Sequence, residues 1–371
     1  MKPFIHTISL KTNISLEDKN KFQDAFNAHF VWMGNEKKYI MHKYSKKGVL
    51  IKLSNRSDEE IKYDKEHRMY KVKIVVNLFK LLNPEKLYGW LTDENDIYSA
   101  CQVLKSVFQC IEIHSGINLL NNLILSRVDV AKDVVTPSDE YTLEVIRLSK
   151  LAAKKCGYRN YIPSGEKLKK KWQIENSSMY YNDYVKAKIY NKKQDLKDHD
   201  IDAGIDSKGL LRFEASLKLS ELKRQGCFSE TFNIDNLSNI LYKITCDGDE
   251  VLKRYFKDVL IDGSMITKRL QNKYFEMKYD GKNTRIKNMK EYRKAVNDKT
   301  EYDFTTDKSY RIKKHFENIG ISPVFTQEKF PYIPSFSDML DGKVNEDVLN
   351  YAFIKNKDKS CLFWDKKACC L

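Results

Sequence analysis

Leu211-Arg212-Phe213-Glu214-Ala215-Ser216-Leu217-Lys218-Leu219 changes between apolar and polar at every step. A period of two is the pattern of a strand with one face in a core and the other open. Phe213, Ala215 and Leu217 form the apolar face, and Arg212, Glu214, Ser216 and Lys218 form the other, so Glu214 is flanked by basic groups. Two further stretches share the pattern. In Leu125 to Val134, Arg127, Asp129 and Asp133 oppose Val128, Val130 and Val134. In Tyr184 to Lys192, Lys186, Lys188 and Tyr190 oppose Val185, Ala187 and Ile189.

If these strands are neighbours, their polar faces converge, and Asp129 and Glu214 can hold a divalent cation close to the Tyr190 hydroxyl. The combination suits phosphodiester transesterification. Carboxylates bind Mg²⁺ or Mn²⁺ through hard oxygens, the cation polarises a phosphate, and a phenolic oxygen attacks. Lys186 and Lys188 offset the charge that grows on phosphorus. A free tyrosine titrates near pH 10, so a base, a cation or positive charge must help remove its proton. Each piece also has a plainer reading, because strand carboxylates usually make surface ion pairs and most tyrosines pack by their rings.

Outward from these strands, residues 1 to about 225 alternate strand-like and helix-like patterns, and the chain from about Asp235 is mainly helical. Tyr70 to Leu82 is rich in Val, Ile and Leu and stops at Asn83-Pro84, which reads as a further strand. A helix is expected from Asp93, with Ile97, Cys101, Leu104, Phe108 and Ile111 along one face. Another begins at Ser138, a capping residue followed by Asp139 and Glu140. Lys167 to Lys171 is a short basic run in a loop after Pro163-Ser164-Gly165.

The chain of 371 residues is 42% hydrophobic with 7 Pro and 14 Gly, which excludes fibrous and disordered classes and predicts two domains. Its 66 Lys and Arg against 51 Asp and Glu give a net charge of +15, favouring a polyanionic partner such as nucleic acid. No apolar run approaches the roughly 20 residues of a membrane span, and Met1-Lys2-Pro3-Phe4 leads into strand-like alternation rather than a signal core, so a cytoplasmic protein without a membrane partner is expected. The 8 Cys form no CxxC pair, which indicates neither a zinc site nor a disulfide framework and predicts mostly reduced core thiols.

At the same three strands the sequence resembles the gene II replication proteins of filamentous phages and related plasmid replication proteins. The likeness rests on Leu125-Ser126-Arg127-Val128-Asp129, on Lys188-Ile189-Tyr190 leading into Lys192-Lys193, on Leu211-Arg212-Phe213-Glu214-Ala215, and on Leu222-Lys223-Arg224-Gln225-Gly226. It extends over roughly residues 70 to 325 and leaves the first 65 and the last 45 or so unmatched. The resemblance implies nicking of one strand at a double-stranded origin, a 5′-phosphotyrosyl intermediate, a 3′-hydroxyl primer and later strand closure. It also implies origin DNA and the nicked single strand as ligands, and a host helicase and DNA polymerase as partners.

Carried over by position, Tyr190 is the nucleophile and Asp129 and Glu214 are the acidic positions. Asp133 and Arg127 are secondary candidates, the first for metal and the second, with Arg212, Lys192 and Lys193, for DNA. The chain departs from the histidine-hydrophobic-histidine motif of many rolling-circle nickases, since none of its 7 His form such a pair. His114 reads as a polar boundary residue, and His199 lies in an Asp- and Lys-rich loop within possible reach of the site. Tyr180, Tyr181 and Tyr184 are further tyrosines nearby, suited to packing or base stacking more than to strand closure.

The C-terminal helices supply a separate DNA-binding expectation. After Thr305-Thr306-Asp307 a helix should place Tyr310, Phe316 and Ile319 in a core and leave Lys308, Arg311, Lys314 and His315 for DNA, until Gly320 ends it. With a helix over about Lys287 to Val296 this would form a helix-turn-helix. The expected fold is therefore α+β: a nicking domain over residues 1–235 with an antiparallel or mixed sheet, and a mainly helical domain over 236–371. The alternatives are a non-catalytic sequence-specific DNA-binding protein, such as a repressor or replication adaptor, and a conjugative relaxase of the same chemistry.

Overall fold

A computed structural model describes residues 1–26, 29–33, 36–41, 47–57, 69–86, 88–120, 123–151, 159–160, 176–201, 208–227, 233–259, 262–298 and 306–344. Its first half contains β1 (Phe4–Ile14), α1 (Leu16–Phe26), β2 (His29–Met33), β3 (Glu36–Met41), β4 (Val49–Ser57), β5 (Tyr70–Val76), α2 (Leu78–Leu82), α3 (Glu94–Ser115), β6 (Ile124–Thr136) and α4 (Asp139–Leu151). There follow β7 (Arg159–Asn160), β8 (Ser177–Tyr181), β9 (Val185–Asn191), α5 (Lys192–Lys197), β10 (Gly209–Lys218) and α6 (Leu219–Arg224). The remainder is α7 (Leu237–Cys246), α8 (Gly248–Val259), β11 (Ser264–Thr267), α9 (Lys268–Lys278), α10 (Asn283–Asp298), α11 (Asp307–Ile319), β12 (Ile321–Thr326), β13 (Tyr332–Ile333) and α12 (Phe336–Leu340).

The protein is α+β, with an antiparallel sheet in the order β2-β3-β4-β5-β1-β6-β10-β9-β8-β7. The three strands picked out by alternation are adjacent, with β10 between β6 and β9. Their apolar faces hold Val128, Val130, Ala187, Ile189, Phe213 and Ala215, all buried. Helices cover that side: Phe256 of α8 meets Phe213 edge to face at 5.1 Å, and the phenol of Tyr180 on β8 donates to the carbonyl of Ser149 in α4.

The helices begin where the chemistry of capping predicts. Asp93 accepts from the Asn95 amide before α3, whose buried face includes Ile97, Cys101, Leu104, Phe108 and Ile111. The Ser138 hydroxyl accepts from the Tyr141 amide at 3.1 Å before α4. Gly320 closes α11 at φ 67°, a left-handed conformation that favours glycine.

Two expected elements differ. Tyr70 to Leu82 is not one strand: it stops at Val76, and Asn77 accepts from the Lys80 amide at 3.0 Å to start α2. The run Leu78 to Leu82 then buries Leu78 and Leu81, three apart on a helix; a short apolar run does not by itself separate strand from helix. Beyond residue 236 the chain also builds a second sheet, β12-β11-β13, with β11 and β12 parallel. Its strands are too short to show a period. One apolar cluster runs from Ile5 to Val344 and joins both sheets.

Of the described cysteines only Cys101 is buried; Cys110 and Cys246 are exposed and Cys227 is intermediate, contrary to the expected core thiols. Cys156, Cys361, Cys369, Cys370 and the basic run Lys167 to Lys171 lie outside the described residues. No described helix is long and apolar enough to cross a membrane.

Candidate active site

Register brings the polar side chains together. Across β6 and β10, Ser216 faces Asp129, Glu214 faces Ala131 and Arg212 faces Asp133. Across β10 and β9, Arg212 faces Tyr190, Glu214 faces Lys188 and Ser216 faces Lys186. On the other side of β6, β1 places Thr7 opposite Asp129. The pairing of β1 shifts register between Ile5 and Thr7, so His6 is the extra residue of a bulge. Bulges re-aim side chains, and the His6 Nδ1 stands 3.1 Å from Glu214 Oε2.

The Tyr190 hydroxyl donates to the same Glu214 oxygen at 3.4 Å, so one carboxylate joins the histidine and the tyrosine. The Lys188 ammonium lies 3.7 Å from the Tyr190 ring centroid, a cation–π contact that orients the ring. Tyr190 is 5% exposed. Burial, and then the charge of Glu214, raise its pKa well above 10, with Arg212 opposing; the free protein holds it as a neutral phenol.

The two carboxylates differ sharply. Burial would raise Glu214, but the hydrogen bond and charge of His6, followed by Lys188 and Arg212, hold it far below the usual carboxylate range. Asp129 is raised by burial and by Glu214, against Arg127, Thr7 and Ser216. The Thr7 hydroxyl donates to Asp129 Oδ2. Arg127 Nε lies 3.0 Å from Asp129 Oδ1, yet neither atom gains a hydrogen bond. Lys186 on the same face is lowered by burial.

A buried carboxylate oxygen without a hydrogen bond, beside a second carboxylate, fits a hard divalent cation. Asp129 and Glu214 would be the oxygen donors to such a cation, and His6 an adjacent nitrogen donor. As they stand, no three His, Cys, Asp or Glu side chains among the described residues form a ready cluster.

Asp133 does not fit that role. Arg212 binds it in two parallel bonds of 2.5 and 2.7 Å, and Tyr88 Oη and Trp90 Nε1 donate to it at 2.5 and 2.8 Å. Three donors converge on Oδ2 and one on Oδ1, and the buried guanidinium already balances the charge that a metal would need. Arg212 is 1% exposed and its guanidinium lies between the rings of Phe4 and Tyr88, at 5.0 and 5.7 Å; it is not a DNA contact but an interior support. Lys192, also expected on DNA, is buried, bonded to Asp195 at 2.5 Å. Lys193 pairs with Asp139 at 3.3 Å and keeps some exposure.

Other expected residues fall outside the site. His199 is exposed, with Nδ1 2.7 Å from the carbonyl of Asp195, one turn back in the chain. His114 likewise contacts the Cys110 carbonyl at 3.0 Å. Tyr180 is buried on Ser149, its pKa pushed up to about 12 by burial, whereas Tyr184 is exposed at the tip of the β8–β9 hairpin. On α11, Ile312, Phe316 and Ile319 are buried but Tyr310 is not: it sits one position past the buried Ser309, and Lys314 lies 4.8 Å from its ring centroid. A cleft between α10 and α11 is lined by Thr284, Arg285, Asn288, Lys308, Arg311 and His315.

Sequence reasoning missed His6, Thr7, Tyr88 and Trp90. The β1 alternation was visible, but the bulge that turns His6 toward Glu214 has no sequence mark. Tyr88 and Trp90 flank Gly89 in a stretch whose partner, Asp133, is 45 residues from Tyr88.

No family model matches the chain, and no curated protein matches it. Among solved structures, the chain is similar to a rolling circle replication initiator protein from Geobacillus stearothermophilus, at 11% identity and a TM-score of 0.30, over 70% of this chain and 85% of that one. At that distance the functional reading stands on the site's own residues.

Proposed function

We propose that the protein is a rolling-circle replication initiator that nicks one strand of a double-stranded origin through Tyr190. The observation that carries the reading is a tyrosine hydroxyl bonded to Glu214 on a polar sheet face that also presents Asp129, His6, Lys186 and Lys188. Phosphodiester transesterification needs a nucleophilic oxygen, a proton acceptor, and positive charge around phosphorus.

In the forward step the Tyr190 oxygen attacks phosphorus. Its proton passes to the Asp129–Glu214 pair, of which Glu214 already faces it. The bond from phosphorus to the 3′ oxygen breaks, and that oxygen takes a proton from Lys186, whose burial lowers its pKa. The products are a 5′-phosphotyrosyl link and a 3′-hydroxyl that serves as primer. The link conserves the phosphoester, so attack by a 3′-hydroxyl reverses the sequence and closes the strand. A divalent cation, Mg²⁺ or Mn²⁺, held by Asp129, Glu214 and His6 would supply a hard positive centre that polarises the phosphate. Lys188 keeps the phenol aligned, and Arg127 adds positive charge at the rim.

Lys308, Arg311 and Lys314, exposed on α11 beside the basic cleft, serve as contacts to the duplex backbone. Host helicase and polymerase act on the opened, primed strand. The test is to incubate the protein with supercoiled DNA carrying its replicon's origin and Mg²⁺ or Mn²⁺. A nick and a denaturant-resistant protein–DNA adduct are expected, and Tyr190→Phe should abolish both while binding persists. Nicking without an adduct overturns the tyrosine mechanism.

A further inference from the structure

We infer that Trp90 is a fixed stacking platform for a nucleobase beside the scissile phosphate; the position relative to that phosphate rests on the reading of Tyr190 as nucleophile. Trp90 is 39% exposed, yet its ring is held at several points. The indole Nε1 donates to Asp133 at 2.8 Å, and the ring stands edge-on to Tyr88 at 5.1 Å and to Phe4 at 6.5 Å. The backbone is held as well. A Cβ on Gly89 would lie 2.2 Å from the Phe79 ring, so that ring packs directly on the glycine, and Leu91 on the far side is 1% exposed.

The anchor ties the indole to the reaction centre. Asp133 is gripped by Arg212, and Arg212 faces Tyr190 across the strand pair. An indole fixed in place and open to solvent loses little conformational freedom when a base stacks on it. The buried Lys192, 5.5 Å from the Tyr88 ring centroid, helps to fix the tyrosine against which the indole rests. Stacking on an aromatic side chain accepts any base, which suits a platform that holds an unpaired strand without reading its sequence.

The experiment uses the full chain in buffer free of divalent cations, so no cleavage contributes, and reads the anisotropy of a fluorescein-labelled oligo(dT). Trp90→Ala should weaken binding about tenfold, the usual worth of one stacked base. Trp90→Phe, which keeps a ring and loses the Asp133 bond, should stay within about threefold of the parent. The parent should bind an abasic oligonucleotide of equal length, with the same charge and no bases, about tenfold more weakly than oligo(dT). Equal binding of abasic and oligo(dT) strands by the parent overturns the inference, as does undiminished binding by Trp90→Ala, or a tenfold loss in Trp90→Phe, which would mark the hydrogen bond as the contribution that matters. If Trp90→Ala does not fold, the abasic comparison and Trp90→Phe still decide. The outcome is independent of the adduct assay: a chain that stacks bases but forms no adduct retains the platform and loses the proposed reaction.

Discussion

Asp129 and Asp133 lie on one strand and one sheet face, four residues apart, and the protein treats them in opposite ways. Asp133 is neutralised completely, with two bonds from Arg212 and one each from Tyr88 and Trp90. Those bonds hold its pKa down although burial alone would raise it. Asp129 is equally buried but shares its surroundings with Glu214; burial and that like charge raise its pKa, and one of its oxygens has no hydrogen bond. The first carboxylate stabilises the fold. The second, 3.0 Å from Arg127 Nε without a hydrogen bond to it and beside a like charge, costs stability.

The largest expected effect comes from breaking the closed pair. Asp133→Ala leaves Arg212 buried without its carboxylate, and loss of one member of a buried ion pair costs about 3–5 kcal/mol. Chemical denaturation should show that loss; a cost below about 1 kcal/mol would mean that Asp133 is solvated and the contrast false.

Asp129→Asn should act in the opposite direction. A carboxylate whose folded pKa is raised binds its proton more tightly in the native state, so stability falls as pH rises from the unfolded value near 4 through the folded one. At pH 7 without divalent cation the variant should be more stable than the parent by about 1 kcal/mol, the lower end of what an unsatisfied buried polar group costs. Destabilisation in the same assay would show that Arg127, Thr7 and Ser216 satisfy the aspartate after all.

The acid limb sharpens the comparison further. Because the folded pKa of Asp133 is depressed, its contribution is fully present above the unfolded pKa near 4 and fades as pH falls through the folded value. The gap between parent and Asp133→Asn should be widest above pH 4 and shrink on acidification. A gap independent of pH would make packing, not charge, the source.

The smallest effect is thermal. Mg²⁺ or Mn²⁺ at about twice its dissociation constant should add about 0.6 kcal/mol to the parent and raise its Tm by about 1 °C. Asp129→Asn and Glu214→Gln should show no such rise, and an equal rise in both would remove them as ligands.

Much of this was legible before the fold was known. Alternation over 211–219 and 185–190, and in part over 125–134, identified three strands and the faces that carry Arg212, Glu214, Lys186, Lys188, Tyr190 and Asp129, because a strand's side chains alternate whatever surrounds it. The helix from Asp93 and its buried stripe followed from capping and period for the same local reason. What was not legible depended on partners far away in the chain. Arg212 read as a DNA contact because an arginine on a polar strand face looks solvent-bound until a carboxylate 79 residues away is found to hold it. Tyr310 read as core because a rotation of one position on a helix is decided by packing against neighbours.

The sequence alone therefore determined which side chains share a face, since that is set by backbone period and handedness within a few residues. Tertiary structure alone decided which faces meet and in what register. Pairing Arg212 with Asp133 and Ser216 with Asp129, and adding one bulged residue in β1, sorted two identical side chains into a fully bonded ion pair and a carboxylate crowded by Glu214, and brought His6 to Glu214. Those outcomes turn on strand register and on burial far from water, where a missing or added partner changes a carboxylate's free energy by several kcal/mol, and no local pattern encodes either.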